Sequence, residues 1–295
     1  MKIVMVSKTA LAGAPYETMK CLNKYSGLRV RWIAIKTEYS DGRSFPCDLL
    51  WMRDRAQCLR ELREADVVHI HNEPCPWIME WIKNKRILVQ FHSCPRRNNY
   101  PELRRITNHC YTLNQPMQRK VYAGLDPLPN LLDPEEYRPA EKRNAGRPVI
   151  VFAPTNTWKS TQLGSKASVE VKGVLSRLHR LASIDIFSNL DYQENLKRKQ
   201  RADIIIDDIV GETFHKTSLE GACFGTAVLT SYDYSGFMFT RLENLERNLV
   251  ELLSNRERLR LYQDLSRKWI VGEWHPKNMC GVYVSAYRKV IHGGN

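Results

Sequence analysis

The sequence predicts an α/β protein of two Rossmann-like domains facing a central cleft. Apolar runs of strand length alternate with longer amphipathic stretches, which is the pattern of parallel βαβ units. Residues 133–148 are polar, contain prolines and a glycine, and lack apolar periodicity, so they are predicted to link two such sets of elements. The 295 residues are enough for two domains of about 100 to 200 residues each.

The first domain is predicted over residues 1–135. It opens with a strand, a loop that contains Gly13, a helix and a second strand, which together make a βαβ unit of normal size. Its predicted strands are residues 2–6, 29–35, 66–70, 87–91 and 110–113. Its predicted helices are residues 16–25, 54–64 and 77–83.

The second domain is predicted over residues 146–272, and a tail segment follows over residues 273–295. Its predicted strands are residues 149–153, 184–188, 202–206 and 227–230. Its predicted helices are residues 169–181, 193–199, 219–224, 243–254 and 256–271, and a further helix is predicted in the tail at 277–292. Ligands of such folds bind outside the carboxyl ends of the strands, which places the expected site at that edge of each sheet.

Composition narrows the class of protein. Hydrophobic residues make up 43% of the chain, and no apolar run reaches the length of about 20 residues that a membrane span needs. The N-terminus has no secretory signal pattern, and the eight cysteines contain no C-x-x-C pair, so we expect reduced thiols and a cytoplasmic location. The net charge of +13 makes a polyanion or an anionic surface a candidate partner.

The most informative stretch is GETFHKTSLEGACFGTAVLTS, residues 211–231. Glu212 is predicted in the loop after the strand at 202–206, and Glu220 in the first turn of the next helix. Ionised carboxylates accept hydrogen bonds from vicinal hydroxyls of a ribose or hexose, and backbone donors near Thr217 and Ser218 suit a phosphate. A solvated loop glutamate and a dipole-compensating helical glutamate are the alternative interpretation of the pair.

This stretch resembles the E-x7-E motif of retaining GT-B glycosyltransferases, especially family 4. Six positions match in register, and three depart from the usual residue: His215 replaces glycine, Gly221 replaces alanine and Ala227 replaces proline. The matching positions are Glu212, Phe214, Glu220, Ala222, Gly225 and Val228. Residues 65–72, 87–93, 128–139 and 151–168 resemble other segments of the family in the same order, so the likeness covers essentially the whole chain.

The resemblance implies roles for residues of the second domain. Glu220 would hold the ribose diol of a UDP- or GDP-sugar, and Glu212 the hydroxyls of its sugar. The family's arginine and lysine on the donor diphosphate correspond best to Lys159 and Lys166, which are seven residues apart rather than six. These cations would stabilise the charge that develops on the departing diphosphate. The family needs no bound metal for catalysis, and its final helix crosses back to the first domain.

Histidines and a glycine are the candidates in the first domain. His92 follows the strand at 87–91, where the family has a histidine that contacts the donor sugar and supports the reaction. His69 and His71 alternate on one strand and face the same side; we interpret His71 as near the acceptor and His69 as packing. Gly13 resembles the glycine loop through which the family's backbone approaches the donor phosphates or the acceptor.

The basic residues cluster between positions 83 and 120, a segment that contains nine lysines and arginines and a single acid, Glu102. Arg96, Arg97, Arg104 and Arg105 are the candidates for binding an anionic acceptor. The favoured acceptor is DNA carrying hydroxymethylated pyrimidines, with the base flipped out to reach the cleft. Trp77, Trp81 and Tyr100, if exposed, would suit DNA or a membrane equally.

We therefore expect transfer of a sugar from a nucleoside diphosphate sugar to an acceptor hydroxyl with retention of anomeric configuration, catalysed with the help of His92 and Glu212. One alternative is a glycosyltransferase that acts on a membrane lipid or a lipid-linked glycan of the cell envelope, as a peripheral enzyme. Another is a non-catalytic nucleic-acid-binding protein on a transferase scaffold. The sugar, the nucleotide base, the linkage and the oligomeric state have no signature in the sequence.

Overall fold

Strands and helices alternate along the chain and assemble into two all-parallel sheets, each in its own unit. The computed structural model describes residues 1–36, 45–73, 76–92, 100–113, 124–140, 146–154 and 166–293. Unit 1 consists of Met1–Leu131 and Pro276–Asn295, and unit 2 consists of Leu132–His275. Along the described stretches, none of the helices combines the length and apolarity that crossing a bilayer requires.

Unit 1 contains a seven-stranded sheet in the order β3-β2-β1-β4-β5-β6-β7. Every strand pair in it is parallel. The strands are β1 (Lys2–Ser7), β2 (Arg29–Ala34), β3 (Leu49–Leu50), β4 (Val67–His71), β5 (Arg86–Phe91), β6 (Cys110–Thr112) and β7 (Asp126–Pro127). The helices are α1 (Ala14–Tyr25), α2 (Arg55–Glu64), α3 (Pro76–Ile82), α4 (Tyr100–Ile106) and the last helix of the chain, α10 (Pro276–His292).

Both faces of this sheet are covered. All six residues of β1 are buried, because alternate side chains enter two separate cores. Ile3 and Met5 pack into a cluster that includes residues of α1 and α10, whereas Val4 and Val6 pack into a cluster that includes residues of α2, α3 and α4. The continuous apolar run of β1, rather than strict alternation, is therefore the sequence sign of a central parallel strand.

Unit 2 contains a five-stranded parallel sheet in the order β12-β11-β10-β8-β9. The strands are β8 (Val149–Phe152), β9 (Ser183–Ile186), β10 (Ile204–Ile206), β11 (Ala227–Thr230) and β12 (Met238–Phe239). The helices are α5 (Ser168–Arg177), α6 (Tyr192–Gln200), α7 (Lys216–Cys223), α8 (Leu245–Ser254) and α9 (Arg256–Gly272). Helix α8 presents Leu245, Leu249 and Leu252 along one face to the main core of the unit.

The predicted elements differ from the observed ones mainly at their ends and at the shortest elements. Helix α7 begins at Lys216, three residues before its predicted start, and the predicted helix at 169–181 ends at Arg177. The two-residue strands β3, β7 and β12 and the charged, seven-residue helix α4 were not predicted. Such short elements carry too few apolar positions to show a period, and the neighbouring strand or core determines their conformation.

Candidate functional site

The carboxyl edge of the unit 2 sheet carries the predicted glutamate motif. Strand β10 ends at this edge, and residues 207–215 connect it to α7. Glu212 lies in this loop, as predicted, and Thr217 and Ser218 lie in the first turn of α7. Glu220 lies in the second turn of α7 and not in its first, because the helix begins earlier than the sequence indicates.

Asp207, which the sequence interpretation did not single out, organises the start of α7. Its carboxylate is fully buried and accepts hydrogen bonds from the backbone N–H of His215 and the hydroxyl of Ser218, each at 2.6 Å. It also forms an ion pair with Lys166. Burial opposes ionisation of Asp207, but the nearby charges of Lys166 and His215 outweigh it and hold the pKa of this carboxyl well below its usual range.

Glu220 lies between two lysines. Its side chain is 4% exposed; Oε2 lies 2.6 Å from Nζ of Lys199, and Oε1 lies 3.1 Å from Nζ of Lys216. Burial would raise the pKa of Glu220, yet the two ammonium groups outweigh burial and lower it, so the carboxylate is ionised at neutral pH. Lys216 also donates to the hydroxyl of Tyr192 at 2.7 Å, which fixes its position.

Lys166, Lys199 and Lys216 thus share the two buried carboxylates of Asp207 and Glu220. Burial lowers the pKa of Lys199, and the charges of Lys166 and Lys216 lower it further, in spite of the attraction of Glu220. Ammonium groups and the N-terminal amides of α7 both favour an anion such as a phosphate. Three ammonium groups against two carboxylates leave one positive charge, which together with the amides of α7 can attract an anionic ligand.

Glu212 differs from Glu220 in being accessible. Its side chain is 60% exposed and lies 3.4 Å from the guanidinium of Arg241, which is itself half exposed. The backbone of Glu212 has a φ of 47°, in the left-handed region, and its N–H donates to the hydroxyl of Ser231 at 2.9 Å. A non-glycine residue in this region costs about 1 kcal/mol or more, and such strain concentrates at functional sites. The exposed carboxylate can accept hydrogen bonds from ligand hydroxyls.

Two departures from the family motif have local explanations. His215 precedes α7 with a φ of −115° and a ψ of −176°, an extended conformation that requires no glycine. Gly221 faces a tight gap, because a Cβ there would lie 2.9 Å from Oγ1 of Thr226 and 3.0 Å from Cγ2 of Val228. Glycine therefore fits here because it leaves room for the side chain of Thr226, in the turn before β11, and for that of Val228, in β11.

In unit 1, the three predicted histidines form one cluster at the carboxyl ends of β4 and β5. The rings of His69 and His71 are stacked with centroids 4.2 Å apart, and Nδ1 of His71 lies 2.8 Å from Nε2 of His92. Nδ1 of His69 lies 2.9 Å from the hydroxyl of Tyr287 on α10. Burial lowers the pKa of His69 to about 3 and that of His71 well below 6.5, so both rings are neutral near pH 7.

The hydrogen bond between His71 and His92 has a preferred direction. Nε2 of His71 is buried, and it has no hydrogen-bond partner among the residues that the structure describes. A buried, unpaired N–H is costly, so the hydrogen of neutral His71 belongs on Nδ1 and is donated to His92. His92 then accepts at Nε2 and carries its own hydrogen on Nδ1. Burial lowers the pKa of His92 as well, which favours this neutral form.

Gly13 lies in the loop after β1 and directly precedes α1. Its φ is 77°, and its N–H donates to the carbonyl of Ala10 at 2.7 Å. Leu11 and Ala12 before it also have positive φ, of 46° and 56°, so three successive residues are left-handed. Glycine suits the last of them, because it adopts this conformation without a steric cost.

The structure does not bring Arg104 and Arg105, two of the predicted acceptor arginines, together with His92. Arg104 and Arg105 occupy the last turn of α4, and the residues after it pair with the beginning of β5: the hydroxyl of Thr107 donates to the carbonyl of Ile87 at 2.7 Å. His92 follows the other end of β5. Arg96, Arg97 and Lys159 lie outside the described residues, so their roles stay predictions. Lys166 lies just before α5 and is buried in its ion pair with Asp207 rather than placed at an exposed surface.

Sequence reasoning missed Asp207, Lys199, Lys216 and Arg241. Asp207 had a signal, since an acid directly after the buried strand β10 stands at the edge where ligands bind. The other three are basic residues among many, and only their proximity in space distinguishes them. No group of three or more His, Cys, Asp or Glu side chains within the described residues is placed to hold a metal ion.

Comparisons with known proteins give matches at the level of structure. No protein-family profile matches the chain, and no curated protein sequence matches it. An alpha-glucosyltransferase in complex with UDP-glucose and DNA containing an abasic site is 13% identical, with a TM-score of 0.64, over 98% of this chain and 100% of that one.

Two further solved structures are similar to the chain over nearly their whole length. An alpha-glucosyltransferase in complex with UDP and a 13-mer DNA containing a HMU base is 12% identical, with a TM-score of 0.65, over 97% of this chain and 99% of that one. Sucrose-phosphate synthase from Thermosynechococcus elongatus is 10% identical, with a TM-score of 0.63, over 100% of both chains. The prediction of a GT-B fold is confirmed: the chain has the fold of the GT-B glycosyltransferases.

Proposed function

We propose that this protein is a glycosyltransferase that moves a sugar from a nucleoside diphosphate sugar to a hydroxymethylated pyrimidine in DNA, with retention of anomeric configuration. The observation that carries the proposal is the motif of residues 212–220 at the carboxyl edge of the unit 2 sheet. It combines the exposed carboxylate of Glu212 with buried ammonium groups and the N-terminus of α7. That is the set of groups that a nucleotide sugar requires.

The donor would be held by unit 2. The amides of the first turn of α7 and the ammonium groups beside it favour the diphosphate. Glu220 is ionised, and each of its two carboxylate oxygens contacts one lysine. The remaining lone pairs could accept hydrogen bonds from the ribose hydroxyls. Glu212 would accept hydrogen bonds from the sugar. Two of the similar structures hold UDP or UDP-glucose, which supports UDP as the nucleotide.

The reaction would break the bond between the sugar C1 and the phosphate oxygen, with the electron pair leaving on the diphosphate. The acceptor hydroxyl would form its bond to C1 on the same face, and its proton would pass to the departing phosphate oxygen. The lysines of unit 2 would stabilise the charge that grows on the diphosphate. The role of His92 on the sugar, expected from the sequence, is kept in this proposal. A neutral ring that accepts from His71 at Nε2 carries its hydrogen on Nδ1.

DNA is favoured as the acceptor because the chain carries a net charge of +13 and because two similar structures contain DNA, one of them with an HMU base. The test is incubation of the protein with UDP-glucose and an oligonucleotide that contains one hydroxymethyluracil or hydroxymethylcytosine. The matched control is the same oligonucleotide with thymine or cytosine. We expect a gain of one hexose mass in the first oligonucleotide and none in the control.

The variants Glu212→Gln and Glu220→Gln should lower transfer, whereas Glu243→Gln, on an exposed residue of the same unit, should not. A panel of GDP- and UDP-sugars identifies the donor, and the configuration of the linkage in the product reports retention. The DNA acceptor is refuted if no hydroxymethylated oligonucleotide gains mass while a lipid extract does. Failure of every nucleotide sugar to raise the Tm of the protein at millimolar concentration would refute a transferase altogether.

A further inference from the structure

The amino edge of the unit 1 sheet carries a group of exposed cations that the proposed active site does not use. Arg86 is the first residue of β5, and Lys83 lies three residues before it. The last turn of α4 contains Arg104 and Arg105. All four side chains are exposed. We call these four residues the amino-edge cations. His92 follows the opposite end of β5, which is six residues or about 20 Å long.

Hydrogen bonds fix the position of these elements. Nζ of Lys85, between Lys83 and Arg86, donates to the carbonyls of Arg63 and Ala65 just before β4. The segment after α4 returns to the same edge, where the N–H of Val89 donates to the carbonyl of His109 at 3.0 Å. The ends of α2, α3 and α4 therefore meet at one edge. Basic residues lie in the last turns of α2 and α4, and Lys83 follows α3.

Three acids near this edge have cationic or amide partners, whereas Glu80, in α3, is exposed. Lys2 forms an ion pair with Glu61 at 2.8 Å and with Glu64 at 2.5 Å, and its backbone N–H donates to Asp66 at 2.7 Å. In the described part of the chain, the amino-edge cations have no ion pair with a carboxylate, and Arg104 contacts a carbonyl, that of Asn108. The surface is thus a positive patch with its charge directed to solvent.

We infer that the amino-edge cations form a second surface for nucleic acid, one that binds duplex phosphates away from the catalytic edge. Four exposed cations complement a phosphate backbone without reading its sequence. A membrane is less well matched, since the large exposed apolar side chains along this edge of the described chain are Met1 and Trp81, and peripheral membrane binding needs a wide apolar face. The surface would hold the enzyme on DNA while the other edge meets a target base.

The inference rests on DNA as the proposed acceptor, but its test does not need transfer. The probe is a fluorescent 20-base-pair duplex without hydroxymethylated bases, and the measurement is its affinity by anisotropy between 50 and 200 mM KCl. The test variant is K83Q/R86Q/R104Q/R105Q. The control variant is R247Q/R256Q/R260Q/K268Q, which removes the same charge from exposed positions of unit 2.

Each lost phosphate contact lowers the slope of log affinity against log salt by about 0.9. We expect the test variant to lose about 2 to 4 units of slope and at least tenfold in affinity at 100 mM KCl, and the control variant to lose less than one unit. The half variants K83Q/R86Q and R104Q/R105Q should each lose about half as much, which keeps the test interpretable if the fourfold variant does not fold.

Equal slopes for the test and control variants would overturn the inference and leave these cations as compensation for the helix dipoles. The inference would also fail if the test variant kept its DNA affinity but lost binding to vesicles that contain phosphatidylglycerol. Hexose transfer by the wild type to a hydroxymethylated pentanucleotide, too short to reach both edges, tests the proposed function separately. Absence of that transfer would refute the proposed function and leave the duplex-binding result intact.

Discussion

Glu220→Gln is the most informative single substitution for the unit 2 site. Glutamine has nearly the same shape as glutamate but lacks the charge that faces Lys199 and Lys216. Both lysines are at most 10% exposed in their side chains, so neither can turn into solvent without a rearrangement. The substitution therefore leaves two buried ammonium groups beside a neutral amide.

The expected effect is large because the carboxylate serves two cations. Removing one member of a buried ion pair costs about 3 to 5 kcal/mol, and most of that is the cost of the uncompensated charge that remains. For a unit of about 150 residues, this free-energy change would lower the Tm by roughly 6 to 20 °C. A glutamine that accepts a hydrogen bond through its carbonyl from Lys199 would bring the loss toward the lower end.

Urea denaturation followed by circular dichroism measures the free energy of unfolding, and calorimetry separates the transitions of the two units. Glu212→Gln is the control, since its exposed side chain contacts solvent and one half-exposed arginine, and its stability should equal that of the wild type. Adding Lys199→Met to Glu220→Gln should restore part of the loss, because it removes one unpaired charge. A Glu220→Gln protein as stable as the wild type would refute the buried-charge explanation.

Three further predictions concern other features. Burial depresses the pKa values of His69 and His71 below the unfolded value of 6.5, so the free energy of unfolding should fall by about 2 kcal/mol for each histidine as the pH falls from 7.5 to 5. In urea titrations, His71→Gln should lose about 2 kcal/mol less than the wild type over this range. An unchanged pH dependence would contradict the burial of a neutral ring. Gly221→Ala should cost about 1 to 3 kcal/mol through the contact with Thr226, and Thr226→Ala should rescue part of this loss. Ser218→Ala removes a hydrogen-bond donor to buried Asp207, so it should lower the affinity for UDP, as measured by titration calorimetry. Ser254→Ala, at an exposed helix end, should leave that affinity unchanged.

The fold could be predicted because its signals are redundant along the chain. The central strands β1 and β10 are apolar runs that must be buried on both faces, and the alternation with amphipathic helices leaves few topologies. Edge strands such as β3 and β12 have two residues each and depend on their neighbours for their existence. Their conformation is set by tertiary contacts, which a single sequence does not display.

Residues of the candidate site could be predicted where their spacing in the sequence indicates a binding role. Glu212 and Glu220 stand out because of their spacing around the start of a helix. Lys199 does not, since it comes from a different helix and has three basic residues close to it in the sequence. Its 2.6 Å contact with Glu220 is what distinguishes it. The basic segment was the weakest inference: charge along the chain shows how many cations there are, whereas strand direction decides at which edge they lie.

The discontinuity of unit 1 has a consequence for how the chain folds as it is made. Its core includes Tyr283 and Tyr287 of α10, which are hydrogen-bonded to Pro129, Gln90 and His69 within the same unit. These residues are translated after the whole of unit 2. A ribosome-bound chain can therefore complete unit 2 while unit 1 still exposes an unfilled apolar face, so the first half to be synthesised should be the last to become protease-resistant.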